Sequence, residues 1–169
     1  NTPYFESSAS LSPDGKTLYY VHSRGTNKDI FVAKKTSTGN WSKPVGLGIA
    51  NSEYDEESPF MHPDGKTLYF SSKGHNSMGG YDVFKCTMLA NGSWSTPQNL
   101  GSPINTPEDD LFFVLTANGK YGYYSSARKG GKGFQDIYMI TMPYVAKNLA
   151  LLKGVVKDEN GTSVCATIT

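Results

Sequence analysis

One phrase recurs along this chain at a nearly constant spacing, and that recurrence restricts the fold more than any other feature. Ser12-Pro13-Asp14-Gly15-Lys16-Thr17-Leu18-Tyr19 returns as His62-Pro63-Asp64-Gly65-Lys66-Thr67-Leu68-Tyr69, and in degenerate form as Thr116-Ala117-Asn118-Gly119-Lys120-Tyr121. Asp14 and Asp64 stand 50 residues apart, and Asn118 follows Asp64 by 54. Asp29-Ile30-Phe31, Asp82-Val83-Phe84 and Asp136-Ile137-Tyr138 recur at 53 and 54 residues, and Trp41-Ser42-Lys43-Pro44 and Trp94-Ser95-Thr96-Pro97 at 53. Several markers that keep one period define an internal repeat.

The chemistry of the phrase is that of a tight turn between strands. Proline presets φ, aspartate bonds back to its own backbone, and glycine accepts positive φ. The flanking runs are rich in aromatic and apolar residues that suit half-buried strands. In the first unit the spacing predicts strands near residues 8–12, 17–23, 29–34 and 41–47. Four short strands per unit is the makeup of a propeller blade. The third unit breaks off at Met142-Pro143, with no Trp-Ser-x-Pro strand after it.

The expected fold is therefore all-β: a partial β-propeller over residues 1–143, of three four-stranded blades with the last incomplete. Residues 144–152 read as a linker, and residues 153–169, with a fresh hairpin signal at Gly154–Gly161, as the first strands of a β-sandwich. Asn1-Thr2-Pro3 echoes Asn51-Ser52-Glu53 and Asn105-Thr106-Pro107, so the sequence opens on a repeat boundary and reads as a piece of a longer ring. Three blades fall short of the roughly four to eight of a closed ring. Self-association through exposed inter-blade faces is the expected consequence.

Composition narrows the function classes. A formal net charge of +1 does not favour nucleic acid or an anionic membrane surface. Eighteen glycines and eleven tyrosines suit a turn-rich β protein. No apolar run approaches membrane-spanning length. Cys86 and Cys165 lack the spacing of a disulfide framework and read as unpaired buried thiols.

The Ser-Pro-Asp-Gly-Lys-Thr-Leu-Tyr and Asp-Ile/Val-Phe phrases resemble the TolB-type (WD-like) β-propeller repeat. Trp94-Ser95-Thr96-Pro97-Gln98-Asn99-Leu100-Gly101 and the Asn-Ser/Thr lead-in are similar to the version in Bacteroidetes OmpA-family envelope proteins of the PorE-like kind. There, a carboxypeptidase-regulatory-like β-sandwich and a peptidoglycan-binding domain follow the propeller. Gly154-Val155-Val156-Lys157-Asp158 resembles the opening of that sandwich. The resemblance implies a periplasmic, outer-membrane-associated protein whose propeller is a non-catalytic interaction platform for envelope proteins. Wall binding would fall to a domain outside this stretch.

Carboxylates gather where each unit leads into its first strand: Glu6, then Asp55, Glu56 and Glu57, then Glu108, Asp109 and Asp110. First strands line a propeller's channel, so Glu6, Asp55, Glu56, Asp109 and Asp110 are the candidates for a channel cation site, with calcium the fitting ion. A glycosidase acid pair is a second reading. The third is that each blade repeats one capping bond, and this is preferred because a catalytic pair needs two differently tuned environments. Asp14, Asp64 and Asn118 read as turn residues. Asp29, Asp82 and Asp136 read as acceptors for backbone N–H groups of the loop before them. Trp41 and Trp94 read as covers of blade edges. His22, His62 and His75 have no metal spacing. The loops around His75 and Tyr81 and around Arg128, Lys129 and Lys132 differ between units, and unshared loops on a repeated scaffold are the expected partner-facing surface.

Overall fold

The computed structural model describes residues 4–143 except 24 and 26, together with 157 and 160–162. The expected linker lies outside the described residues, as does nearly all of the expected sandwich start. Among the described residues, eleven strands form three antiparallel sheets. Blade 1 holds β1 (Phe5–Leu11), β2 (Thr17–Ser23), β3 (Lys28–Lys34) and β4 (Val45–Gly46) in that spatial order. Blade 2 repeats the order with β5 (Glu56–Met61), β6 (Thr67–Ser72), β7 (Asp82–Thr87) and β8 (Gln98–Asn99). Blade 3 has three strands: β9 (Asp110–Leu115), β10 (Tyr121–Ser126) and β11 (Asp136–Thr141).

The turns follow from their residues. Gly15, Gly65 and Gly119 share φ values of 68°, 65° and 70°, which is left-handed backbone that a side chain resists. Before each glycine a side-chain oxygen closes the turn. Asp14 accepts the Lys16 N–H at 3.0 Å, Asp64 accepts those of Lys66 and Thr67 at 2.9 and 2.8 Å, and Asn118 accepts that of Lys120 at 3.0 Å.

The fourth strand is shorter than the predicted 41–47, and its chemistry explains why. Trp41 and Trp94 each make one isolated bridge, to Lys35 and Met88. The next serine then bonds the third strand through its side chain: Ser42 Oγ accepts the Lys34 N–H and Ser95 Oγ accepts that of Thr87, both at 3.0 Å. Pro44 and Pro97, two residues on, have no N–H to give a ladder. Regular pairing resumes only at Val45–Gly46 and Gln98–Asn99.

The blades share apolar seams. Ile30 and Ala50 of blade 1 pack with Phe70, Phe84 and Cys86 of blade 2. Val83 and Ile104 of blade 2 pack with Phe113 and Tyr124 of blade 3, with Tyr69 in the same cluster. A further cluster joins Tyr19 of blade 1 to Met61 and Leu68 of blade 2, with Val32, Leu47 and Trp94 against it. Cys86 is a free thiol whose burial pushes its pKa up to about 12.

The innermost strands β1, β5 and β9 lie side by side. Each carries one non-glycine residue at positive φ: Ser8 at 35°, Ser58 at 55° and Phe112 at 57°. The pairing register slips at these places, so each is a bulge that bends its strand. An open hollow of about 230 Å³ lies among the three bulges, lined by residues 8–10, 58–60 and 112–114. This hollow marks the channel side of the assembly.

Candidate functional site

The carboxylates are built into the seams between blades and into the lead-in turns. Glu56 is fully buried and accepts the Ser52 N–H at 3.1 Å, the Ser52 hydroxyl at 2.6 Å and the Ser72 hydroxyl at 2.8 Å. Asp110, its counterpart, accepts the Thr106 N–H at 2.6 Å and the Thr106 hydroxyl at 2.8 Å. Burial raises the pKa of the Glu56 carboxyl, against the pull of its serine donors. The preceding acids reach back to the previous blade. Asp55 accepts the Lys28 N–H at 3.1 Å and Asp109 that of Tyr81 at 3.0 Å. Glu57 joins the Lys28 ammonium at 2.8 Å, and Glu6 lies 3.5 Å from His22.

The channel expectation is corrected by this placement. The hollow between the bulges is lined by serine, alanine, proline, valine and phenylalanine, while Asp55, Glu56, Asp109 and Asp110 bond to seams and turns. For Glu56 and Asp110 the cause is local: a serine or threonine four residues upstream offers both N–H and O–H and captures the acid; Asp55 and Asp109 are taken by backbone N–H groups of the preceding blade. Among the described residues no group of three His, Cys, Asp or Glu is arranged to hold a metal ion.

Asp82 accepts the Met78 N–H at 2.8 Å and the Asn99 amide at 2.7 Å. Asp136 accepts the Lys132 and Gly133 N–H groups at 2.7 and 3.3 Å. In the shorter first loop the Asn27 amide lies 3.4 Å from Asp29. His22 and His62 are buried and are not surface residues.

Two asparagines carry a role that the sequence did not suggest. Asn51 accepts the Ile30 N–H at 2.8 Å and donates to the Ile30 carbonyl at 3.0 Å. Asn105 repeats the bond on Val83 at 2.8 and 2.9 Å. Each clamps the third strand of its blade from the turn that leads into the next one. The recurrence of Asn-Ser/Thr was the available signal, but its target lies 21 or 22 residues upstream.

The unshared loops are anchored more firmly than a free binding loop would be. His75 Nε2 sits 2.9 Å from the Ala50 carbonyl. Arg128 donates to the carbonyl of Ile104, the counterpart of Ala50, at 2.8 Å and to that of Pro103 at 3.1 Å. It also reaches the buried Asp110 at 3.3 Å and lies over the Tyr138 ring at 4.5 Å. Tyr81 is 7% exposed, with the Lys73 ammonium 4.6 Å from its ring centre. Tyr81 is thus buried, contrary to the expectation of a partner-facing residue, and Arg128 is partly exposed and tied into the fold. Gly79 belongs to the same locked region, since a Cβ there would collide with the Pro107 carbonyl. Lys129 and Lys132 stay exposed, beside a fully exposed Phe134. Trp94 meets Tyr19 edge-on at 6.2 Å across the seam, and Trp41 is 43% exposed.

No protein-family model matches the sequence, and no curated protein matches it. Solved structures do resemble it in shape. TolB from Acinetobacter baumannii matches with a TM-score of 0.57 and 22% identity over 79% of this chain and 29% of that one. TolB from Agrobacterium tumefaciens matches at 0.59 and 19% over 84% and 47%. A periplasmic gluconolactonase from Pseudomonas aeruginosa matches at 0.50 and 15% over 92% and 47%. The chain spans less than half the length of each. Eleven strands in three blades, with these neighbours, make the fold a partial β-propeller of the TolB-like kind.

Proposed function

We propose that this chain is part of a non-catalytic interaction scaffold in the bacterial periplasm, carried by an outer-membrane-associated envelope protein. Its partners are other envelope proteins, and attachment to peptidoglycan belongs to a separate domain. A place beside secretion machinery is consistent with the PorE-like resemblance. The observation that supports this reading is where the acids go. The repeated carboxylates are engaged by backbone amides, hydroxyls and cations of the fold itself. What the scaffold leaves presented is an unshared tip: Lys129, Lys132 and Phe134, held in place by the anchoring of Arg128 and Asp136. An aromatic flanked by basic residues on a rigid support suits a protein surface with apolar and acidic groups.

The test is site-specific photo-crosslinking from position 134 in periplasm-targeted protein, compared with a Lys129→Glu/Lys132→Glu version. A discrete adduct that weakens with charge reversal supports the scaffold. The neighbouring folds include enzymes, so hydrolysis of lactones, glycosides or prolyl peptides is measured in parallel. Turnover that disappears in Glu56→Gln would replace the scaffold reading with an enzyme.

A further inference from the structure

The outer part of the seam between blades 1 and 2 holds an open cleft of about 490 Å³. That size falls within the roughly 300–1,000 Å³ of small-molecule sites. Its walls come from residues 17–47 of blade 1 and 88–94 of blade 2. Val32, Leu47, Met88 and Trp94 make the lining largely apolar, and Val45, 67% exposed, stands at the lip. Among the described residues, Lys34 is the one charged group that lines the cleft, and it pairs with no acid. The repeat shows what is particular to this corner. Lys16 recurs as Lys66 and Lys120 and belongs to the turn. Lys34, Lys35 and Lys43 instead stand where blade 2 has Thr87, Met88 and Thr96. The sheet gathers them: Lys34 lies opposite Thr17, the Lys35 N–H bonds to the Lys16 carbonyl at 2.8 Å, and Ser42, next to Lys43, accepts the Lys34 N–H at 3.0 Å. All four lysines are exposed, and residues 30–52 and 87–107 contain no Asp or Glu. A blade of this kind folds without the three unshared cations, as blade 2 demonstrates, and unshared features on a repeated scaffold are where binding resides.

We infer that this cleft binds a small amphiphilic anion, a molecule with an acyl or aryl body and one anionic head. The body lies against Val32, Leu47, Met88 and Trp94, where it takes apolar surface out of water. The head stays at the lip beside the Lys34 ammonium, whose methylene stem continues the apolar wall. Lys35 and Lys43 sit further out and raise the positive potential that draws the head in. A cationic head would meet like charge at the same place, and a neutral one would crowd water from the ammonium without supplying a counter-charge. The site lies in a different blade from the tip at Lys129, Lys132 and Phe134, and it does not rest on the scaffold reading.

The experiment follows Trp94 emission in the full chain carrying Trp41→Phe, which leaves one tryptophan. The probes are octyl phosphate, octyl glucoside, octyltrimethylammonium and inorganic phosphate, each kept below any micelle-forming concentration. Octyl phosphate should shift the emission saturably, with one molecule bound per chain. The glucoside and the ammonium should bind at least tenfold more weakly, and inorganic phosphate should leave the emission unchanged. Lys34→Glu and Val45→Glu alter exposed side chains, so their β-sheet spectra should match the parent, while each raises the dissociation constant for octyl phosphate more than fivefold. Lys34→Arg, which keeps the charge, should bind as the parent does. Absence of a saturable shift with octyl phosphate overturns the inference. So does equal affinity for all three octyl compounds, equal affinity for inorganic phosphate, or an affinity indifferent to both glutamate variants.

Discussion

Asn105 and Val83 are bound in both directions: the asparagine carbonyl takes the valine N–H at 2.8 Å and its amide gives to the valine carbonyl at 2.9 Å. Asn105 is almost wholly buried, so water cannot replace either bond. Removing the amide leaves the Val83 N–H unsatisfied, at about 1–3 kcal/mol, while the Val83 carbonyl keeps the Leu100 N–H at 3.1 Å. Asn105→Ala should therefore lose about 1–3 kcal/mol in urea titration, judged from that per-group cost. Asn105→Asp should do no better, because a buried carboxylate would face the Val83 carbonyl and the Asn99 side-chain oxygen with no proton to give either. An aspartate variant as stable as the parent would show that only one of the bonds matters.

The contrast between the turn residues and this clamp shows what a single sequence discloses. Asp14, Asp64 and Asn118 bond within two or three residues of themselves, so the period and the local pattern revealed both their place and their task. Asn51, Asn105, Asp55 and Asp109 reach 21 to 28 residues back, and nothing local to them names the acceptor. The burial of Tyr81 and the anchoring of Arg128 were hidden for a related reason. Loops that differ between units look free in sequence, but here the difference is in how each loop is tied down. His75 and Arg128 stand at non-equivalent positions and still reach equivalent carbonyls, of Ala50 and Ile104.

Arg128 links three carriers of negative charge or dipole: Asp110 and the Pro103 and Ile104 carbonyls. Asp110 has no solvent exposure, so deleting the guanidinium strands a buried acid that retains only Thr106 as a donor among the bonds described. Arg128→Ala should cost about 3 kcal/mol, in line with breaking one side of a buried pair. Arg128→Lys should recover only a minor part, since an ammonium cannot reproduce the planar fork. Chemical denaturation of the two variants decides this, and full rescue by lysine would reduce the site to a simple charge contact.

Acid response separates the buried carboxylates from the exposed one. Burial raises Glu56 above its ordinary 4.5 and Asp82 above its ordinary 3.8. A carboxyl that binds its proton more tightly when folded adds stability as it becomes protonated. That contribution is small at neutral pH, grows as pH falls through the folded pKa, and is complete below the unfolded value. Asp14 behaves oppositely: the Ser12 hydroxyl and the Lys16 amide lower it below 3.8, so its contribution is present above that value and is lost as pH falls through the folded pKa. Melting temperatures of Glu56→Gln should fall progressively behind those of the parent chain between neutral pH and 4.5. The deficit of Asp14→Asn should instead shrink below pH 3.8. A Glu56→Gln deficit that is constant with pH would contradict the burial account.

The bulges at Ser8, Ser58 and Phe112 are the place where one atom-level change should help and its opposite should harm. Ser58 holds φ at 55°, a region in which Cβ crowds the backbone and which glycine enters freely. Its hydroxyl is buried without a hydrogen-bond partner among the described residues, so removing the side chain forfeits no bond to them. Against this, glycine gains disorder in the unfolded chain, by roughly 0.5–1 kcal/mol. Relief of the strained backbone, about 1–3 kcal/mol, is the larger effect. Ser58→Gly should therefore be neutral or stabilising, by up to about 2 kcal/mol from the difference of those two ranges. Ser58→Val adds branching at Cβ where φ is positive and should destabilise by more than 1 kcal/mol, the low end of that strain. Thermal unfolding of the pair reads the sign directly. If glycine harms as much as valine, the bulge draws its conformation from the serine side chain and not from the pairing of β5 with β6.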